Sequence, residues 1–370
     1  MARPLDGLKV VEIGTVITAP LSASLLGELG AEVIKIERPE GDPFRNFAGG
    51  NYSPQFRAYN KNKKSVVLDL STADDRAKLT SLLATADVLV DNFRPGVLAR
   101  LGLGDDRLQA INPRLIRCSI TGFGSGGPYA KRPAYDAVAQ ALAGISSLFL
   151  DQSDPRPCGP TISDNISGMY AALGILAAVN ERNRTGVGRR VEVSMLEASI
   201  AFIPDAFALS DGGVKVGPTS RVSASQSYAL ACSDGKVVAL HLSSQPKFWE
   251  ALCEAMDANE LRASPRFAAH KDRFANYAAL SEELASIFSR RTRADWMKRL
   301  EAHDIPFAPV NEIEEVANDP QVKHLDTFYR ATASDGTQVR SINCPIWFDG
   351  ERVEPQTAPP LLGEHDKQTV

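Results

Sequence analysis

A chain of 370 residues exceeds one typical domain and suits two, or one large domain with an excursion. Its 44% hydrophobic and 23% charged content is that of a globular enzyme, and a net charge of -4 leaves no electrostatic footprint for nucleic acid. The five scattered cysteines form no C-x-x-C and the five histidines no H-E-x-x-H, so neither a disulfide framework nor a metal site is indicated.

The start of the chain lacks the apolar segment of a signal peptide, and the longest uncharged runs, 137–150 and 165–180, fall short of a membrane span. A cytoplasmic protein in a reducing compartment, with no membrane partner, is the expectation. Residues 8–13 read as a buried strand, 20–29 as the helix after it and 32–37 as a second strand, a compact β-α-β unit. A strand at 65–70, a helix at 73–84, a strand at 88–91, a helix at about 95–100 and a strand at 115–121 follow. A helix over 135–146, a second apolar helix after Asp164, a strand at 190–194 and a helix from Met195 continue the alternation. Strands alternating with helices predict an α/β fold with a large, doubly wound, Rossmann-like parallel sheet.

The pattern changes after about residue 205. Residues 206–222 read as loop, with Gly212, Gly213, Gly217 and Pro218. Strands at 227–232 and 236–242 turn through Ser233-Asp-Gly235, and helices are expected at 246–256, 277–288 and 292–302. This α+β segment, 225–315, reads as a smaller domain beside a large one of 1–205, with 316–370 returning to the large domain.

The chemistry centres on Gly159-Pro-Thr-Ile-Ser-Asp-Asn165, which places Asp164 where a loop becomes an apolar helix. A helix N-terminus holds a carboxylate ionised through its dipole and unpaired amides, a setting that suits a carboxylate nucleophile. From this stretch alone, Ser163 or Asp164 acting simply as the helix cap is the favoured reading. Gly122-Phe-Gly-Ser-Gly-Gly127 matches G-x-G-x-x-G, but Pro128-Tyr-Ala-Lys-Arg-Pro133 delays the helix that a dinucleotide fingerprint requires. A loop offering backbone amides is the more useful reading, with a nucleotide-dependent dehydrogenase as the alternative from another class. No G-x-S-x-G elbow and no Walker A loop occurs. Arg38, the stretch Asn92-Phe-Arg-Pro-Gly96 and Arg100 lie near strand ends, where open parallel sheets bind ligands. Lys61-Asn-Lys-Lys64 reads as a solvated charge run.

Taken together, the chain resembles the class III CoA-transferases, the formyl-CoA transferase family, whose superfamily includes the α-methylacyl-CoA racemases. The motifs are Pro4-Leu-Asp-Gly-Leu-Lys-Val-Val-Glu12, Leu29-Gly-Ala-Glu-Val-Ile-Lys-Ile-Glu-Arg-Pro39, Asn60-Lys-Asn-Lys-Lys-Ser65 and Asp91-Asn-Phe-Arg-Pro-Gly96. Ile111-Asn-Pro-Arg-Leu-Ile116, Ser119-Ile-Thr-Gly-Phe-Gly124, Arg184-Thr-Gly-Val-Gly188 and Pro360-Leu-Leu-Gly-Glu-His365 complete them in order. The resemblance implies that Asp164 is the nucleophile, with Tyr135 and Asp136 beside it in catalysis. It further implies that Val16, Thr18 and Ala19 line a coenzyme A pocket, that Arg38 packs on the adenine, and that Leu70, Asn92, Phe93 and Arg100 contact the rest of the nucleotide or pantetheine. No cofactor is held permanently in this reading. Acyl-CoA and a small carboxylic acid are substrates, and the assembly is an interlocked-ring homodimer.

Two departures stand out. The glycine run that closes on the intermediate in formyl-CoA transferases has no counterpart; Gly212-Gly-Val-Lys-Val-Gly217 and Ser223-Ala-Ser-Gln-Ser227 occupy that region. The related racemases carry a catalytic histidine where this chain has Tyr135, which makes an acyl-CoA racemase or epimerase the second reading.

Overall fold

A computed structural model describes residues 3–47, 52–151, 153–156, 159–243, 245–354 and 356–369. It contains two compact units, one of Met1–Ser146, Pro157–Pro204 and Pro320–Val370, the other of Ser147–Arg156 and Asp205–Asp319.

The first unit runs β1 (Lys9–Glu12), α1 (Thr18–Glu28), β2 (Glu32–Glu37), α2 (Pro54–Tyr59), β3 (Lys63–Val67), α3 (Ala73–Thr85), β4 (Val88–Asp91), α4 (Val97–Arg100), α5 (Asp105–Ile111) and β5 (Ile116–Thr121). It continues with α6 (Asp136–Leu142), α7 (Ser163–Thr185), β6 (Arg190–Ser194) and α8 (Met195–Ala201). The six strands form one parallel sheet in the order β3-β2-β1-β4-β5-β6. Alternate strand residues feed the two faces. Val10, Val33, Val88 and Val90 pack with Ala19 and Ala23 of α1 and Ala171 and Ile175 of α7. Val11, Ile34 and Leu89 pack on the other side with Leu79 and Leu83 of α3 and Leu108 of α5. The strand order reverses between β1 and β4, and the crevice outside their carboxyl ends is where such sheets bind ligands. A hairpin of Phe328–Thr332 and Gln338–Ile342 belongs to the same unit.

Among the described residues, four short α-helices of this unit escape the sequence reading, two of them, Pro320–His324 and Asp366–Thr369, in the returning segment and two before it. The two before it are α2, started by Ser53, whose hydroxyl accepts from the Phe56 amide, and by Pro54 at its first position, and α5. The helix expected at 135–146 splits into α6 and a 3-10 turn at Ile145–Leu148, and Gly144 between them has φ 87°.

The charge run at 61–64 is a correction: most of it is not solvated. Lys61 pairs with Glu28 at 2.8 Å and Lys63 with Glu12 at 2.7 Å, both lysines buried, while Lys64 alone reaches the surface, beside Glu32. Burial draws the Lys63 ammonium down to about 8 against the opposing pull of Glu12. The first turn after α2 and the start of β3 direct these side chains inward, onto carboxylates supplied by β1 and α1.

The second unit contains α9 (Pro204–Asp211, whose first residue lies in the first unit) and α10 (Ser220–Ser225), where a loop is expected from sequence. The glycines there end α9 rather than prevent it. β7 (Ser227–Ala231) and β8 (Val237–His241) form the expected hairpin, with Gly235 at φ 73° in its turn. β9 (Phe307–Pro309), too short to show a strand period, adds antiparallel to β8. The helices Pro246–Ala255, Tyr277–Phe288 and Arg293–Ala302 supply Trp249, Leu284 and Trp296 to its core, where Trp296 stacks on Phe288 with centroids 4.2 Å apart.

Candidate active site

The loop from β1 to α1 sits at the strand-order reversal, and side chains from neighbouring strand ends hold it. The Asn92 amide, just past β4, donates to the Thr15 carbonyl at 2.7 Å and to Thr18 Oγ1 at 2.9 Å. Its Oδ1 accepts from the Thr15 amide at 3.0 Å. A Cβ on Gly14 would lie 2.3 Å from that of Ala19, so only glycine lets the loop fold this tightly onto α1. Val16, a β-branched residue, stands at φ 69° in the left-handed region, an unfavourable conformation that this frame enforces.

α7 packs along α1 through a second close approach: a Cβ on Gly168 would lie 2.9 Å from the Thr18 carbonyl oxygen. That contact sets where α7 begins. Ser163, its first residue, is fully buried, and its hydroxyl accepts from Ser199 of α8 at 2.7 Å. Ile162 occupies the cap position without a side-chain cap bond, so neither Ser163 nor Asp164 caps the helix. Asp164 is the second helical residue, 8% exposed, and lines a cavity of about 210 Å³ with Val16, Thr18, Asn92, Phe93 and Tyr135.

The electrostatics differ from the expectation of a carboxylate held ionised by the helix. The Asp164 amide donates to Asp136 Oδ1 at 3.2 Å, so a helix-start donor serves Asp136. Gln140, one turn along α6, fixes Asp136 by donating to its Oδ2, and also donates to the Pro160 carbonyl at 3.2 Å. Burial first, then the Asp136 charge, pushes the Asp164 carboxyl up to about 7. Near neutral pH it is divided between acid and carboxylate.

Tyr59, at the end of α2, joins this group and was missed in the sequence reading. Its hydroxyl is hydrogen-bonded to the Asn165 side chain, and burial, with the Asp164 and Asp136 charges beside it, pushes the phenol up. The only local signal is the Ser53-Pro54 helix start that places it.

The cofactor-contact residues divide by position. Val16, Thr18, Asn92 and Phe93 line the cavity with Asp164. Arg38 and Leu70 line a neighbouring cavity of about 440 Å³, which shares Phe93 and Thr15 with the first. Arg38 is exposed there, its Nε donating to the Gly41 carbonyl at 3.1 Å. Ala19 is fully buried in the core and lines neither cavity. Arg100 is exposed at the end of α4 and lines neither. Tyr135 caps α6 from the cavity wall and is 71% exposed. Gly122 begins the glycine loop at the same cavity, and no helix follows until Asp136, the departure from a dinucleotide fingerprint visible in the sequence. Among the described residues no cluster of His, Cys, Asp and Glu is arranged to hold a metal ion, and no helix is long and apolar enough to cross a membrane.

Residues 5–366 match the sequence profile of CoA-transferase family III. An acetyl-CoA:oxalate CoA-transferase of Acetobacter aceti is 36% identical over 327 residues, covering 86% of this chain and 83% of that protein. A succinate–glutarate CoA-transferase of Agrobacterium fabrum is 30% identical over 382 residues, covering 99% and 95%. The crystal structure of a CAIB/BAIF family protein from Brucella suis superposes with a TM-score of 0.87 at 31% identity, covering 99% of this chain and 98% of that one.

Proposed function

The chain belongs to CoA-transferase family III, and on that premise we propose that it moves CoA from an acyl-CoA donor to a free carboxylic acid through a covalent intermediate on Asp164. The observation that carries this reading is the position of Asp164: a buried carboxyl on a helix start, facing the cavity at the strand-order reversal.

The chemistry is that of a carboxylate nucleophile. The ionised Asp164 attacks the donor thioester carbonyl and expels CoA thiolate, leaving a mixed anhydride. The thiolate attacks the aspartyl carbonyl, which forms an aspartyl-CoA thioester and releases the donor acid as its carboxylate. The acceptor carboxylate attacks that thioester, and the returning thiolate takes the acceptor acyl group, restoring Asp164. Each step passes through an oxyanion, and backbone amides of the glycine loop beginning at Gly122 are the natural donors. Asp136 and Tyr135 act beside the nucleophile, Asp136 by setting its proton affinity. In the relatives the acids named are oxalate, succinate and glutarate, which favours a small dicarboxylate here; Arg94 and Arg132 line the same cavity and offer the second carboxylate a cation.

The same reading takes residues 1–205 as the CoA-binding domain, 225–315 as the small domain and 316–370 as the returning segment of an interlocked, cytoplasmic homodimer. It assigns no permanent cofactor, CoA entering and leaving as substrate. A racemase would need a second acid-base group opposite Asp164. With Tyr135 at the position of the racemase histidine, that reading has no such partner.

Intact-protein mass spectrometry after incubation with an acyl-CoA panel, with hydroxylamine trapping and peptide mapping, tests the proposal. The expected adduct lies on the peptide carrying Asp164 and disappears in Asp164→Ala. Absence of an adduct with every donor, together with deuterium exchange at the acyl α-carbon, would replace transfer by racemisation.

A further inference from the structure

We propose that Lys35 is a positioning residue for the CoA-binding wall, acting through Asp42 to hold the strained backbone at Val16; the inference rests on the CoA-binding reading above. Lys35 lies in β2 and is completely buried. Its ammonium has three hydrogens and three close acceptors: Glu12 Oε1 at 2.8 Å, Asp42 Oδ2 at 2.9 Å and the Gly14 carbonyl at 3.0 Å. Two of these bear directly on the loop that shapes the cavity. Gly14 begins that loop, and the Asp42 carboxylate accepts from the Val16 amide at 3.3 and 3.4 Å.

The other groups around this tripod leave Asp42 one orientation. Its Oδ1 accepts from the Phe44 amide at 2.9 Å, and its own amide donates to Glu37 Oε2 at 3.0 Å. Buried ion pairs seldom add net stability over apolar packing, so stability alone is a weak reason for this arrangement. What the tripod does fix is geometric. A β-branched residue at φ 69° relaxes unless something holds it, and the Val16 amide is held by a carboxylate that Lys35 holds in turn. Asn92 secures Thr15 and Thr18 on either side, so Val16 is the point in the loop that depends on Asp42. An arginine at position 35 cannot reproduce three bonds converging on one nitrogen.

The test is a double-variant cycle read by CoA binding calorimetry and by KM and kcat with an acyl-CoA donor. Lys35→Met is expected to raise the CoA dissociation constant and the acyl-CoA KM about tenfold, the scale of losing one anchor of a strained backbone, with kcat changed by less than about threefold. Val16→Gly removes the strain, because glycine adopts this φ freely. In that background Lys35→Met is expected to cost less than about threefold, whereas a merely structural lysine would cost the same in both. Circular dichroism checks the fold of each variant. Should Lys35→Met not fold, Asp42→Asn, nearly isosteric, decides through the same cycle. Unchanged CoA affinity, or an equal penalty in both backgrounds, overturns the proposal. CoA binding is independent of the adduct: a wild-type protein that binds CoA without forming an Asp164 adduct loses the transfer mechanism, while the cycle still decides the role of Lys35. A wild-type protein that binds no CoA overturns both.

Discussion

The amide of Asp164 donates a hydrogen bond to the carboxylate of Asp136, 3.2 Å away, so the helix start that presents the candidate nucleophile also serves a second acid. One carboxylate takes a helix-start donor, and the other is left with burial and a like charge. Burial and that like charge together raise the proton affinity of the Asp164 carboxyl.

Adduct formation should therefore rise with pH through about 7, as Asp164 ionises. Asp136→Asn removes the neighbouring charge but not the burial, the larger cause. The acid limb should move down by about 1 pH unit and stop short of an ordinary carboxylate. Single-turnover adduct rates against pH check this, and a limb that stays in place or moves up would rule out the coupling.

The same raised affinity has a stability consequence. A carboxyl with its folded value raised from 3.8 to about 7 costs nothing below 3.8, and the cost grows as pH rises until it is complete above about 7. Asp164→Asn should accordingly stabilise the protein at pH 8 by about 1–3 kcal/mol and change little at pH 3.5. Denaturant midpoints at the two pH values are the measurement; equal changes at both would contradict the assignment.

At Gly168, a Cβ would meet the Thr18 carbonyl oxygen at 2.9 Å and Leu21 at 3.0 Å. Gly168→Ala should push α7 away from α1 and destabilise by about 1–3 kcal/mol, with a loss of kcat because Asp164 lies one turn before it. A thermal midpoint and turnover both equal to wild type would show that the helices can part without moving the site.

Arg45 grips Glu37 through two 2.7 Å bonds, with both side chains fully buried. Against the burial that raises it, this fork holds the Glu37 carboxyl below its usual range. Arg45→Met removes the fork and leaves a buried charge, at a cost of about 3–5 kcal/mol in chemical denaturation. A change below about 1 kcal/mol would mean that Lys35 and Ser65 compensate.

By itself the sequence determined the parallel α/β sheet, the hairpin through Asp234 and Gly235, and the helix opening at Asp164. Strand runs, turn residues and apolar periodicity are local patterns, and an element forms where a pattern and its end signals agree. It also placed Asn92 and Phe93 at a strand end, where open parallel sheets bind ligands, while Val16 was named only through the family resemblance. Tertiary structure alone decided which charges are buried. Lys61 and Lys63 look like surface lysines until strand order brings Glu28 and Glu12 against them. It alone brought Asp136 onto the Asp164 amide and Tyr59 beside both, since these residues sit on separate elements with no shared period. The burial of an apolar side chain is legible from the pattern along the chain, but whether a charged one is buried, and with which partner, depends on which elements cross in space, and that is set only when the sheet and its helices pack.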